Sequence, residues 1–198
     1  MILDAGSPDR GAFALPPLIA EMVERGWIGE KSGQGFYKKV RTDGGSEILV
    51  LDPATMDYRP QQKPRLGALD AARAVEAPGE RIRSLFLGRH EVGEFLRATL
   101  GPTLVYAARV APAVAHSIDD VDRAMRWGFA WDLGPFETWD AIGADALVEA
   151  CGVTEPPPLV QDLLAAGRTR FRPAANGAQR HVRCARPPNS RPRSRKKW

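Results

Sequence analysis

The stretch Ser117–Gly143, S-I-D-D-V-D-R-A-M-R-W-G-F-A-W-D-L-G-P-F-E-T-W-D-A-I-G, constrains the fold more than any other part of the chain. It carries three of the five tryptophans (Trp127, Trp131, Trp139) and two of the seven phenylalanines (Phe129, Phe136). Large aromatic side chains bury more apolar surface than any others, so a core is expected to gather here. The helix punctuation is explicit. Ser117 and Asp120 have the spacing of a capping box, with Asp in place of the usual Glu or Gln. Val121, Ala124 and Met125 follow at helical spacing, and Gly128 is placed to end the helix in a left-handed conformation. Gly134-Pro135 opens a second helix with Pro at its first position, and Gly143 closes it. The stretch reads as two short helices joined by an aromatic elbow. Its acids, Asp119, Asp120 and Asp122, suit the positive end of a helix dipole.

The rest of the chain supports a mainly helical fold. Leu15-Pro16-Pro17 introduces a helix whose stripe is Leu18, Ile19, Met22 and Val23, ended by Gly26. Gly29, Gly33 and Gly35 mark a loop. Phe36 to Val40 and Glu47 to Leu51 flank the turn Thr42–Ser46 and make a β-hairpin. Tyr58 to Pro64 reads as a linker. Helices are predicted over 67–75, 78–87, 91–110 and 145–151, with a last one running from Pro156-Pro157-Pro158 to Ala166. The long helix presents Phe95, Leu96, Thr99, Leu100 and Leu104 on its apolar face and contains Gly101-Pro102, where Pro removes a backbone hydrogen bond.

Two segments repeat. Pro16–Gly26 and Pro157–Gly167 share the pattern P-P-L-[IV]-x-[ED]-[ML]-[VL]-x-x-G at an offset of 141 residues. That period is far above those of solenoid repeats and points to duplicated domains, with the end of one copy followed by most of a second.

Charge divides the chain differently. Of 28 Lys and Arg residues, eleven fall between Arg168 and Trp198, a segment with no acid. The preceding residues hold 17 bases against 24 acids, a net of −7. The end of the chain reads as a disordered, Pro- and Arg-rich tail with few aromatic stacking partners, so nucleic acid is not the expected partner. The change in composition after about Arg172 also fits an altered reading frame. Two isolated cysteines, Cys151 and Cys184, suggest neither a disulfide framework nor a metal site. No apolar run approaches the roughly 18 residues of a membrane helix and no secretory signal is visible, so a cytoplasmic protein is expected.

Catalytic patterns are sparse. Gly33-Gln34-Gly35 is only part of a dinucleotide-binding fingerprint, and it precedes a strand instead of a helix. It reads better as a tight turn that lets backbones approach closely. No phosphate-binding loop occurs. His90, His116 and His181 lack metal-ligand spacing. The residues assign no catalytic, cofactor-binding or metal-binding position.

Two motifs resemble the helical C-terminal domain of 3-hydroxyacyl-CoA dehydrogenases. Gly29-Glu30-Lys31-Ser32-Gly33-Gln34-Gly35-Phe36-Tyr37 is similar to that domain's G-x-K-[ST]-G-x-G-F-Y. D-R-A-M-R-W-G-F and L-G-P-F-E-x-x-D-x-I-G, within Ile118–Gly143, resemble its second motif. The resemblance covers roughly Leu15 to Phe171, in the order of two tandem copies. It implies a mainly α fold of helical C-terminal-type domains with a small β-hairpin. The expected layout is the end of a first helical domain plus the hairpin (1–57), a linker with short helices (58–90), a second helical domain (91–171) and the disordered basic tail (172–198). Packing or interface positions follow from the motifs: Lys31, Gly33, Gly35, Phe36, Tyr37, Trp127, Gly128, Gly134, Pro135, Phe136 and Asp140.

The family reaction is the NAD-dependent oxidation of a 3-hydroxyacyl-CoA to a 3-ketoacyl-CoA in fatty acid β-oxidation, with a His held by a Glu as base. The Rossmann domain that binds NAD and supplies that pair has no counterpart here. Aligning the family's L-G-P on Leu100-Gly101-Pro102 sets Arg97 where an active-site Asn would stand, and Arg97 cannot accept a hydrogen bond. The resemblance therefore implies no cofactor in this chain, inactivity alone, and a nucleotide-binding domain or homologous subunit as partner, with acyl-CoA as the full-length family's substrate. The alternative is a non-catalytic interaction module whose basic tail meets nucleic acid or an acidic partner.

Overall fold

The computed structural model of the chain describes residues 11, 14–42 and 44–173. It divides into two units, one ending at Arg65 and the other beginning at Leu66. Of the basic tail expected over 172–198, residues 174–198 lie outside the described residues. No described helix is long and apolar enough to cross a membrane.

The first unit holds α1 (Pro17–Glu24), a 3-10 turn (Glu30–Ser32), β1 (Tyr37–Thr42), β2 (Gly45–Leu51) and β3 (Tyr58–Pro60). β1 and β2 form the expected hairpin, with Tyr37 opposite Val50 and Thr42 opposite Gly45. The hairpin is not alone. Tyr58–Pro60, read from sequence as the start of a linker, adds an antiparallel third strand, with Tyr58 opposite Leu51. Tyr58 anchors it. Its hydroxyl donates to the Gly35 carbonyl at 2.6 Å, its ring lies 5.5 Å from Trp27, and the Lys38 ammonium sits 5.2 Å over its face. Pro60 lacks an N–H, a loss that an edge strand tolerates.

The second unit contains α2 (Gly67–Ala72), α3 (Pro78–Leu87), α4 (Glu91–Val114), α5 (Ile118–Phe129), α6 (Pro135–Ile142), α7 (Ala144–Ala150) and α8 (Pro158–Ala165). Beyond α8 the chain continues as a strap over 168–172. The core gathers Phe86 of α3, Leu104 of α4, Ile118 of α5, Phe136 and Trp139 of α6 and Val160 of α8, all fully buried. α4 extends four residues past its expected end, with Pro102 and Pro112 inside it. Its buried positions, Gly101, Leu104, Ala108 and Ala111, recur at helical spacing, and packing along that face offsets the missing bonds. His90 starts the helix, its Nδ1 accepting from the Gly93 N–H at 3.1 Å.

Three expectations for this unit need correction. Gly128 lies inside α5, and Ala130 takes the left-handed conformation that ends it, with φ 55°. The aromatics do not form one cluster: Phe136 and Trp139 are fully buried, whereas Trp127 is 81% and Phe129 70% exposed. Asp122 marks the buried face of α5, and Trp127 comes five residues later, about 140° around the helix. Phe95 of α4 is likewise exposed, although Leu96 and Leu100 of the same expected face pack on the core.

The sequence repeat reappears as repeated local structure. α1 and α8 have the same length and start from Pro16 (φ −56°, ψ 147°) and Pro157 (φ −53°, ψ 147°). Both close with a left-handed glycine, Gly26 at φ 71° and Gly167 at φ 69°. The next amide returns to the helix in each, from Trp27 to Met22 O and from Arg168 to Leu163 O, the bond pattern of a Schellman cap.

The strap completes the core of the second unit. Thr169 O accepts from the Ala144 N–H at 2.8 Å. Phe171, 2% exposed, meets the rings of Phe136 and Trp139 edge-on at centroid distances of 5.2 and 6.3 Å. Removing this ring leaves a cavity beside two fixed aromatics. Phe171→Ala should lower stability by about 3–5 kcal/mol in chemical denaturation; a loss below about 1 kcal/mol would show that the strap is not part of the core.

Candidate functional site

The most concentrated polar chemistry lies where α5, α6 and the strap meet. α6 begins at Gly134-Pro135 and so has no side chain at its N-cap to accept its free amides, which every helix start leaves unpaired. Asp122 of α5 supplies the acceptor. Its Oδ1 accepts from the Phe136 N–H at 2.7 Å and its Oδ2 from the Glu137 N–H at 3.1 Å. Glu137 Oε2 accepts from the Gly134 N–H at 2.7 Å, and the Thr138 hydroxyl donates to Gly134 O at 2.8 Å. The approach is close enough to dictate Gly134: a Cβ there would stand 2.4 Å from the Asp122 Cα.

Arg172 gathers the acids. Its guanidinium donates to Asp119 Oδ1 at 2.7 Å, Asp122 Oδ2 at 2.6 Å and Asp140 Oδ2 at 3.1 Å. Asp140 also accepts from two strap amides, Phe171 N–H at 2.6 Å and Arg172 N–H at 3.3 Å. Burial pushes the Asp122 and Asp140 carboxyls up from the ordinary range, against the pull of these backbone bonds and of Arg172. Burial alone would lower the Arg172 pKa, but the hydrogen bonds to Asp119 and Asp122 and the charges of Asp122 and Asp140 raise it. The carboxylate form is the one the geometry uses, because each Asp122 oxygen already accepts from a donor. These acids are therefore committed to joining segments.

Other groups are similarly committed. Arg97 donates to the carbonyls of Phe86 and Gly88 and holds the end of α3 beside α4. Gly33, with φ 82°, and Gly35 form the expected close turn, in which a Cβ on Gly35 would stand 2.8 Å from Gly29 Cα. Their amides donate to Glu30 O and Tyr37 O at 2.9 and 3.0 Å, so the turn uses them internally. Among the described residues, no group of three His, Cys, Asp or Glu side chains could hold a metal ion.

Residues 93–171 match the family described as 3-hydroxyacyl-CoA dehydrogenase, C-terminal domain. This segment belongs to that family. The chain is also 35% identical over 175 residues to a protein of Bacillus subtilis named probable 3-hydroxyacyl-CoA dehydrogenase, covering 87% of this chain and 22% of that protein. A protein of Rickettsia prowazekii, named putative fatty acid oxidation complex trifunctional enzyme, is 26% identical over 117 residues, 59% of this chain and 15% of its own length. The chain thus spans about a fifth or less of the length of these relatives. No solved structure matches it.

The expected motif positions separate by role. Gly134, Pro135, Phe136 and Asp140 belong to the junction or the core beneath it. Gly128 and Trp127 are on the exposed side of α5. Lys31, Phe36 and Tyr37, in the first unit, are exposed. Asp119, Asp122 and Arg172 are the residues that sequence reasoning missed: the acids were read as helix-dipole partners, and Arg172 was assigned to the tail. The available signal was Gly134-Pro135 itself, a helix start with no capping side chain of its own.

Two outcomes follow from this junction. Gly134→Ala should destabilise the chain by at least about 2 kcal/mol, because Asp122 cannot move away without releasing α6; an unchanged midpoint in urea would contradict the contact. The folded chain holds the protons of Asp122 and Asp140 more tightly than the unfolded chain does. Their contribution is greatest below the ordinary Asp pKa of about 3.9 and falls as pH rises through the raised folded values. Asp140→Asn weakens the acceptor of the strap bonds and so should lower Tm, and by the linkage above it should flatten the pH dependence of Tm just above about pH 4; a slope equal to wild type would show that Asp140 does not titrate differently in the fold.

Proposed function

We propose that this chain is the helical C-terminal portion of an NAD-dependent 3-hydroxyacyl-CoA dehydrogenase of fatty acid β-oxidation, located in the cytoplasm. The observation that carries the reading is the match of residues 93–171 to the C-terminal domain of that family. The names of the two relatives agree with it. In this reading NAD and the proton-abstracting base come from a nucleotide-binding domain or a homologous subunit, and the substrate is a 3-hydroxyacyl-CoA. The present residues supply shape. Asp122, Asp140 and Arg172 fix α6 and the strap, and Arg97 holds α3, so the domain offers its partner a rigid surface.

The chain alone should not reduce NAD in the presence of a 3-hydroxyacyl-CoA. A chimera tests the positive half of the proposal. When this chain replaces the matching segment of the Bacillus subtilis relative, the folded product should keep 3-hydroxyacyl-CoA-dependent NADH formation. A well-folded chimera without activity, beside an active parent, would contradict the proposal, as would turnover by the chain alone.

A further inference from the structure

The second unit contains a groove of about 340 Å³ between α3, the first half of α4 and the elbow that joins α5 to α6. Its walls are Ile82 and Leu85 of α3, Leu100 of α4, and Trp131 and Leu133 of the elbow. The Thr138 hydroxyl at its floor is already spent on Gly134 O, so the floor offers no free donor. Among the described residues, Arg81 is the only cation in the lining, and it is half-buried. Among the described residues no carboxylate or carbonyl binds its guanidinium. Asp132 lies in the same lining without pairing to it.

We propose that this groove binds a small aliphatic carboxylate, with the chain along the Leu–Ile–Trp walls and the carboxylate on Arg81. The volume falls at the lower end of small-molecule sites, and an apolar trough with one convergent charged group is their usual composition. An unpaired guanidinium presents a planar fork that matches a carboxylate. The aliphatic walls favour an alkyl chain over a polar body, because a buried polar group there would find no partner. Asp132 disfavours a second negative charge, so a monocarboxylate fits better than a dicarboxylate. The site rests on the groove alone and stands whether or not the chain works beside a dehydrogenase.

Sodium octanoate titrated into the full chain, followed by calorimetry and by Trp131 fluorescence, tests the proposal. Saturable binding is expected, with a fluorescence change that Trp131→Phe removes while the calorimetric signal persists. Arg81→Gln should weaken octanoate about tenfold and leave octanol, which lacks the charge, unchanged. Asp132→Asn should tighten octanoate. Both substitutions are at partly or fully exposed side chains, and circular dichroism of each variant checks the fold. Absence of saturation, a fluorescence change that survives Trp131→Phe, or equal octanoate affinity in wild type and a folded Arg81→Gln variant would overturn it.

Discussion

The Asp122 carboxylate is the constraint on which the second unit depends. It lies 3% exposed on the inner face of α5, where a charge is costly unless it is fully bonded. The start of α6 brings two unpaired amides and the favourable end of a helix dipole, and Arg172 brings a full positive charge. Each partner solves a problem for the other. α6 lacks a capping side chain of its own, and the guanidinium of Arg172 is half-sequestered and needs acceptors. Gly134 follows from the same contact, since no side chain can stand between Asp122 and the first turn of α6.

The junction also sets the far end of the domain. Asp140, one turn beyond Phe136, accepts from both amides at the end of the strap, and this fixes where Phe171 enters the core. The ring then closes against Phe136 and Trp139, while the Trp139 indole donates to Leu104 O of α4 at 3.1 Å. A chain of contacts thus runs from α5 through α6 to the strap and to the long central helix. Burying such charges adds little net stability compared with apolar packing. What the arrangement contributes is a single geometry, because any other register leaves a buried carboxylate unpaired.

Much of this fold was legible in the sequence, and the reasons differ from place to place. The Ser117–Asp120 box, the prolines that start α1, α6 and α8, and the glycines that follow α1 and α8 are local signals, and the structure uses them as local physics prescribes. The Pro-Pro-Leu repeat extends to the hydrogen bonds of its caps, where α1 and α8 close alike. The errors arose where tertiary contacts decide. Tyr58 looked like the start of a linker because its pairing with Leu51 and its bond to Gly35 are nonlocal. Trp127 and Phe129 looked like core because aromatic content says nothing about which side of α5 is inward. Arg172 looked like part of a basic tail because net charge cannot show that three aspartates, 32 to 53 residues away, converge on it.

The direct test of this account is a double-mutant cycle between Asp122 and Arg172, using Asp122→Asn, Arg172→Gln and the double variant, with stability measured by chemical denaturation. If the carboxylate joins α6 to the strap, the two losses should fail to add, with a coupling of about 1 to 3 kcal/mol. Additive losses would contradict it, because they would mean that Asp122 caps α6 and Arg172 holds the strap independently.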